Sequence, residues 1–233
     1  MVLIQINIIS DIICPWCYIG YRSLQKAIAL YQKTYPGGSS DEFKISWKPY
    51  FIDQEAPSES IIIQGMSYRM LRRMDPKQVQ AAQTRLKRAG AEMGLSFKLG
   101  AYIGSSRLAH RLLFMAEKEK GPEKQCEVAE LLFHYQFERE ADTSKLHVVI
   151  AAGVQAGFRE DEVRDWLEES NASLLEIEKE AKEVRAAGIT GVPHFIIGER
   201  HHLDGVVDLS EFFQALIEAR QRNEDGLRLD ALS

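Results

Sequence analysis

The 233-residue chain holds only 3 cysteines, an odd and low count that cannot build a disulfide framework, so its thiols are kept for chemistry, metal binding or core packing. It has no apolar run long enough to span a bilayer. Met1 to Ser10 shows neither the basic start nor the small-residue cleavage site of a secretory signal, so a cytosolic location and no membrane partner are expected. No charge of one sign dominates: 29 Lys and Arg against 34 Asp and Glu give −5, which leaves no electrostatic footprint for nucleic acid. Glycine loops of the P-loop or dinucleotide type are missing, as are H-E-x-x-H and G-x-S-x-G patterns. What is present is apolar material, 45% hydrophobic beside 27% charged, enough for one compact domain with a large insertion or for two small domains.

Leu3, Ile4, Ile6, Ile8 and Ile9 form a short β-branched run closed by Ser10-Asp11, which reads as a buried strand. From Pro15 the residues Ile19, Leu24, Ala27, Ile28 and Tyr31 recur at helical spacing until Pro36-Gly37-Gly38. Phe43, Ile45 and Trp47 then alternate in a second strand, which Pro49 and the turn-rich Asp53 to Ser58 bring to an end. From Ser60 to Ala187 no strand is expected, only helices, beginning with one that Asp75, Pro76 and Gln78 would start as a capping box. After Gly188 the period changes back: His194 to Ile197 and His201 to Leu203 read as a hairpin around Gly198-Glu199-Arg200. A helix from Asp208 follows, then a frayed polar tail from Asn223. The expected fold is α/β, ordered βαβ, then an all-helical insertion, then ββα. Its divisions fall at 1–58, 59–187, 188–222 and a 223–233 tail.

Cys14-Pro15-Trp16-Cys17 falls where the first strand hands over to the first helix, with Cys14 at the N-cap and Pro15 at the first helical position. Unpaired N–H groups at a helix start favour negative charge, so a Cys14 thiolate is stabilised there. Two intervening residues bring Cys17 within disulfide reach, making Cys14 the nucleophile and Cys17 the resolving thiol. A zinc half-site is the other reading of a bare C-x-x-C, but there is no second pair, and Cys126 has no Cys or His at tight ligand spacing. Thr190-Gly191-Val192-Pro193 precedes the returning strand; the sequence leaves the isomer of its X-Pro bond open.

Together these residues resemble the thioredoxin superfamily, and a helical insertion between βαβ and ββα is similar to the DsbA family. Asp11 to Gly20 (DIICPWCYIG), Trp47 to Phe51, Ala109 to Leu112, Leu131 to Phe133 and Gly191 to Pro193 resemble its FrnE-like branch, in order, from about Ile6 to Leu216. The resemblance implies a thioredoxin-like fold, a cis Pro193 beside Cys14 and Cys17, and a Val192 backbone that pairs with an extended substrate. It also implies that the insertion caps the dithiol, with Trp16, Tyr18 and Phe51 either offering apolar surface near it or packing in the core. The chain departs from the branch at Ser105-Ser106, at Leu203 to Val207, and in carrying Pro-Trp between the sulfurs where the bacterial oxidant carries Pro-His.

The implied activity is thiol-disulfide exchange on a protein or small-molecule substrate, with no tightly bound cofactor and with glutathione as a redox partner; a homodimer is left open. A glutathione-dependent transferase or isomerase similar to the kappa-class transferases and 2-hydroxychromene-2-carboxylate isomerases is the first alternative, and a non-catalytic peptide-binding module the second. The basic residues Arg69, Arg72, Arg73, Arg85, Lys87 and Arg88 suit an acidic ligand such as glutathione, or simply a solvated face. His110 reads as a core histidine and Cys126 as a small core residue. His201 and His202, adjacent on a strand, face opposite sides, so no metal is expected.

Overall fold

The computed structural model describes residues 1–56, 60–62, 75–98, 102–169 and 171–230. Among them the strands are β1 (Leu3–Ser10), β2 (Glu42–Pro49), β3 (Ile61–Ile62), β4 (Tyr102–Ile103), β5 (His194–Ile197) and β6 (His201–Asp204). The helices are α1 (Pro15–Thr34), α2 (Pro76–Glu92), α3 (Arg107–Lys120), α4 (Pro122–Glu138), α5 (Leu146–Gln155), α6 (Glu160–Glu169), α7 (Asn171–Ala186) and α8 (Leu209–Asp230).

The main sheet runs β2-β1-β5-β6, with β1 parallel to β2 and antiparallel to β5. Register follows the apolar pattern: Ile4, Ile6 and Ile8 lie opposite Phe43, Ile45 and Trp47, and none of the three isoleucines is exposed. A one-residue slip would turn this whole set to the other face, which is why the alternation specifies the pairing. β5 and β6 close the sheet as a hairpin whose turn uses positive φ at Gly198 (56°) and Glu199 (67°). Helix α1 packs closely on β5. A Cβ added at Gly20 would stand 2.9 Å from Phe195 Cζ and 3.3 Å from Pro193 Cγ, so the absence of a side chain there sets how near the helix comes.

The insertion is helical as expected, and its core continues that of the sheet through Leu112, Leu132 and Phe133. The Asp75 capping box is present: Asp75 Oδ1 accepts from the N–H groups of Lys77 (2.8 Å) and Gln78 (2.9 Å), and Gln78 Oε1 accepts from Asp75 N–H (3.0 Å). Two expectations need correction. The segment is not wholly helical, because β3 and β4 pair as an antiparallel ladder, too short at two residues each to register as alternation. Helix α8 also continues past Asn223 to Asp230, since Glu224, Leu227, Arg228 and Leu229 are good helix formers and a polar composition does not by itself end a helix.

The outer strand β2 meets α4 at its edge. Gln125 Oε1 accepts from Trp47 N–H (2.8 Å) and Gln125 Nε2 donates to Trp47 O (3.4 Å), so a side-chain amide takes the place of a neighbouring strand.

Candidate active site

β1 ends at Ser10, and the next residue, Asp11, is fully buried and organises the turn that follows. Its carbonyl accepts from Cys14 N–H (3.0 Å), while its carboxylate accepts from Ile13 N–H (3.4 Å) and from Ile52 N–H (2.8 Å) across the turn. Cys14 then sits at the N-cap of α1 in an extended conformation (φ −97°, ψ 107°), with Pro15 starting the helix and Cys17 N–H donating to Cys14 O (3.1 Å). Proline suits that first position because its missing N–H would have had no helical partner.

The two cysteines are free thiols of unequal access: Cys14 retains 5% exposure and Cys17 none. Burial, reinforced by the adjoining Cys14 sulfur, pushes the Cys17 thiol well above its ordinary value, and the Ser10 hydroxyl and Asp11 N–H oppose that shift only in part. Cys17 is therefore held as a protonated thiol in the reduced protein. Cys14 Sγ faces the Val192 carbonyl at 3.8 Å, and the Val192-Pro193 peptide is cis.

The loop carrying Val192 is itself anchored. Tyr50 Oη donates to Thr190 O (2.8 Å) and accepts from Arg185 Nη1 (2.9 Å), whose guanidinium lies 4.0 Å from the Tyr50 ring centroid. The Asp11–Ile52, Tyr50–Thr190 and Cys14–Val192 contacts thus join the segment after β1, the segment after β2 and the segment before β5 around the dithiol. Chain order separates these segments widely; the fold brings them to one end of the sheet.

A DSBA-like thioredoxin domain matches residues 5–217 of the chain. The chain belongs to that family. This DSBA-like protein shares 25% identity with a "probable DsbA oxidoreductase" from Streptomyces coelicolor, covering 93% of this chain and 89% of that one at a TM-score of 0.79. A 2-hydroxychromene-2-carboxylate isomerase is similar in fold at 13% identity (95% and 98% covered, TM-score 0.64). So is the cytosolic disulfide reductase DsbM from Pseudomonas aeruginosa, solved with GSH, at 17% identity (96% and 99% covered, TM-score 0.56). No curated protein matches the chain.

Within this DSBA-like site the structure brings Cys14, Cys17, Val192 and Pro193 together. Trp16, also expected here, lies half-buried on the first turn of α1, with the Arg85 guanidinium of α2 5.4 Å from its ring centroid. Tyr18 and Phe51 do not offer groove surface. Tyr18 stacks on Phe133 in the core (5.1 Å, 8°), and Phe51 packs with Ile177 and Ala181, because an aromatic at helical or strand spacing is indifferent to which of two apolar environments buries it. Arg69, Arg72 and Arg73 lie outside the described residues.

His110 is buried, as its neighbours suggested, but against the site: Nε2 stands 3.6 Å from Asp11 Oδ1, and its ring meets Phe51 edge-on. Cys126 is half-buried, accepting from Trp47 Nε1–H at 3.4 Å. Sequence reasoning gave Asp11, Tyr50 and Arg185 no role. Asp11 alone carried a local signal, a carboxylate directly between an apolar strand and the C-x-x-C turn. Among the described residues no helix is long and apolar enough to cross a membrane.

Proposed function

We propose that this DSBA-like protein is a thiol-disulfide oxidoreductase working through a mixed disulfide on Cys14. The observation that carries the reading is the pair of free thiols at the start of α1, one reachable and one buried and protonated, with the Val192 carbonyl beside the reachable one. In the reducing direction the Cys14 thiolate attacks a substrate disulfide, forming a Cys14–substrate disulfide and expelling the first substrate thiolate. Cys17 then gives up its proton and attacks Cys14 Sγ. The second substrate thiolate leaves, and the enzyme holds a Cys14–Cys17 disulfide, so two electrons have passed to the substrate, whose two thiolates take up the Cys17 proton and one from water. Two equivalents of glutathione restore the dithiol and leave as glutathione disulfide; the likeness to the GSH-bound reductase supports that choice of thiol. Oxidation of a substrate dithiol is the same sequence reversed. The Val192 backbone aligns an extended substrate by strand-like pairing, Trp16 borders it, and no tightly bound cofactor is needed.

The test is equilibration of purified protein in glutathione buffers of graded poise, with alkylation of free thiols and mapping by mass spectrometry. A reversible Cys14–Cys17 disulfide is expected, and its midpoint against a cytosolic poise of about −220 to −320 mV assigns the direction. Absence of an internal disulfide at every poise would refute the reading. Glutathione-dependent turnover that survives Cys17→Ala would transfer the site to the transferase or isomerase class.

A further inference from the structure

The β5–β6 hairpin gathers three side chains that the dithiol does not use. Its register sets His194 opposite Asp204 and Ile196 opposite His202, so His194, His202 and Asp204 share one face, while Phe195 turns the other way toward Gly20 of α1. His194 Nδ1 lies 2.6 Å from Asp204 Oδ1, and His194 Nε2 lies 2.9 Å from His202 Nδ1. An ionised carboxylate only accepts hydrogen bonds, so a proton sits on His194 Nδ1, and in the neutral ring that leaves the Nε2 lone pair directed at His202. His194 is 5% exposed, and the two groups that bond it, the Asp204 carboxylate and the His202 ring, both lie on the exposed side of the hairpin.

A carboxylate fixing one imidazole nitrogen so that the other presents its lone pair is the arrangement that orients histidine toward a metal ion. We propose that His194 Nε2 and His202 Nδ1 form a two-imidazole site for a divalent late first-row ion such as Zn2+, with Asp204 orienting His194. With His194 in that tautomer, His202 Nδ1–H is the donor across the 2.9 Å gap. When the ion enters, His202 carries its proton on Nε2 instead, and two neutral imidazoles ligate. Bonds of about 2.0–2.1 Å at a tetrahedral angle place two ligand nitrogens about 3.3 Å apart, a few tenths of an ångström beyond the observed 2.9 Å. Because the Nε2 lone pair points along the line to His202 Nδ1, His202 must also give up that hydrogen bond and swing its nitrogen aside, by about 2 Å, for both lone pairs to meet on the ion. No group of three or more imidazole, thiol or carboxylate side chains suited to hold a metal ion occurs among the described residues, so water or an incoming ligand completes the shell. His201 is not part of the site, since its Nδ1 pairs with Glu218 of α8 at 3.2 Å.

Zn2+ is the probe, having no redox chemistry toward thiols. It is titrated calorimetrically into the chain with all three cysteines changed to Ser, which removes competing thiolates. One-to-one binding is expected, weakened at least tenfold by His202→Gln and about 10- to 100-fold by Asp204→Asn, and unchanged by His201→Gln. Equal affinity of the His202→Gln chain, or no binding by its parent, overturns the proposal. Should the cysteine-free chain fail to fold, imidazole nitrogen NMR of the wild-type protein reads the site directly. Zn2+ must then shift His194 Nε2 and His202 Nδ1, and unmoved resonances overturn it.

Discussion

Gly20 offers the most direct test of how α1 is set against the segment that faces the dithiol. An alanine there gains about 0.8–1.0 kcal/mol of helix propensity. Against this, its Cβ falls 2.9 Å from Phe195 Cζ and 3.3 Å from Pro193 Cγ. Phe195 has no exposure and is held edge-on against Phe212 at 4.9 Å, so it has little room to withdraw. Overpacking of this kind costs about 1–3 kcal/mol, which outweighs the propensity gain and leaves a net loss of about 0–2 kcal/mol. For a chain of this size that is a fall of up to about 8 °C in Tm, read by calorimetry or by urea unfolding of the reduced protein. The cause is identified by repeating Gly20→Ala in a Phe195→Leu background. Trimming the ring should abolish the penalty, giving a coupling above about 0.5 kcal/mol. If Gly20→Ala instead raises Tm by the full propensity gain, about 2–4 °C, the close approach of helix to strand is refuted.

Iodoacetamide at neutral pH should label Cys14 in the reduced protein and leave Cys17 untouched until denaturant is added; equal labelling of both would contradict the burial of Cys17. Because the Cys17 thiol titrates higher folded than unfolded, its contribution to stability is complete below about pH 9 and is lost as pH rises through the folded value. Tyr18, pushed up to about 12 chiefly by burial, adds to the same alkaline loss. Reduced protein should therefore lose urea stability above about pH 9 with a steeper slope than Cys17→Ser, and matching slopes would exclude Cys17 as a source. Asp11→Ala removes the acceptor of the Ile52 N–H and should cost about 1–3 kcal/mol in urea unfolding, whereas an unchanged midpoint would mean that water substitutes freely. Tyr50→Phe deletes the bond to Thr190 and should cost about 0.5–1.5 kcal/mol while altering Cys14 alkylation kinetics; unaltered kinetics would detach this anchor from the site.

The handover from β1 to α1 was legible because three local signals agree there: a β-branched run, a turn pair and proline at the first helical position. The Asp75 box and the β5–β6 hairpin were legible for the same reason. The ring of contacts around the dithiol was not, because Asp11 meets Ile52 and Tyr50 meets Thr190 across 41 and 140 residues of chain. Nothing in the local pattern of either partner names the other. Tyr18 and Phe51 showed that they are buried without showing against what. The histidines illustrate a third limit: adjacency of His201 and His202 argued correctly that they diverge, but only the strand register reveals that His202 meets His194.

The amide of Gln125 on the edge of β2 has a consequence in time. It lies 78 residues beyond Trp47, so at a synthesis rate of about 5–20 residues per second that edge stays open for about 4–16 s before α4 exists to occupy it. β5, which covers the other side of β1, emerges later still. Through that interval the first βαβ unit has a strand edge and an isoleucine-rich face without their partners, the combination that invites pairing with another nascent chain.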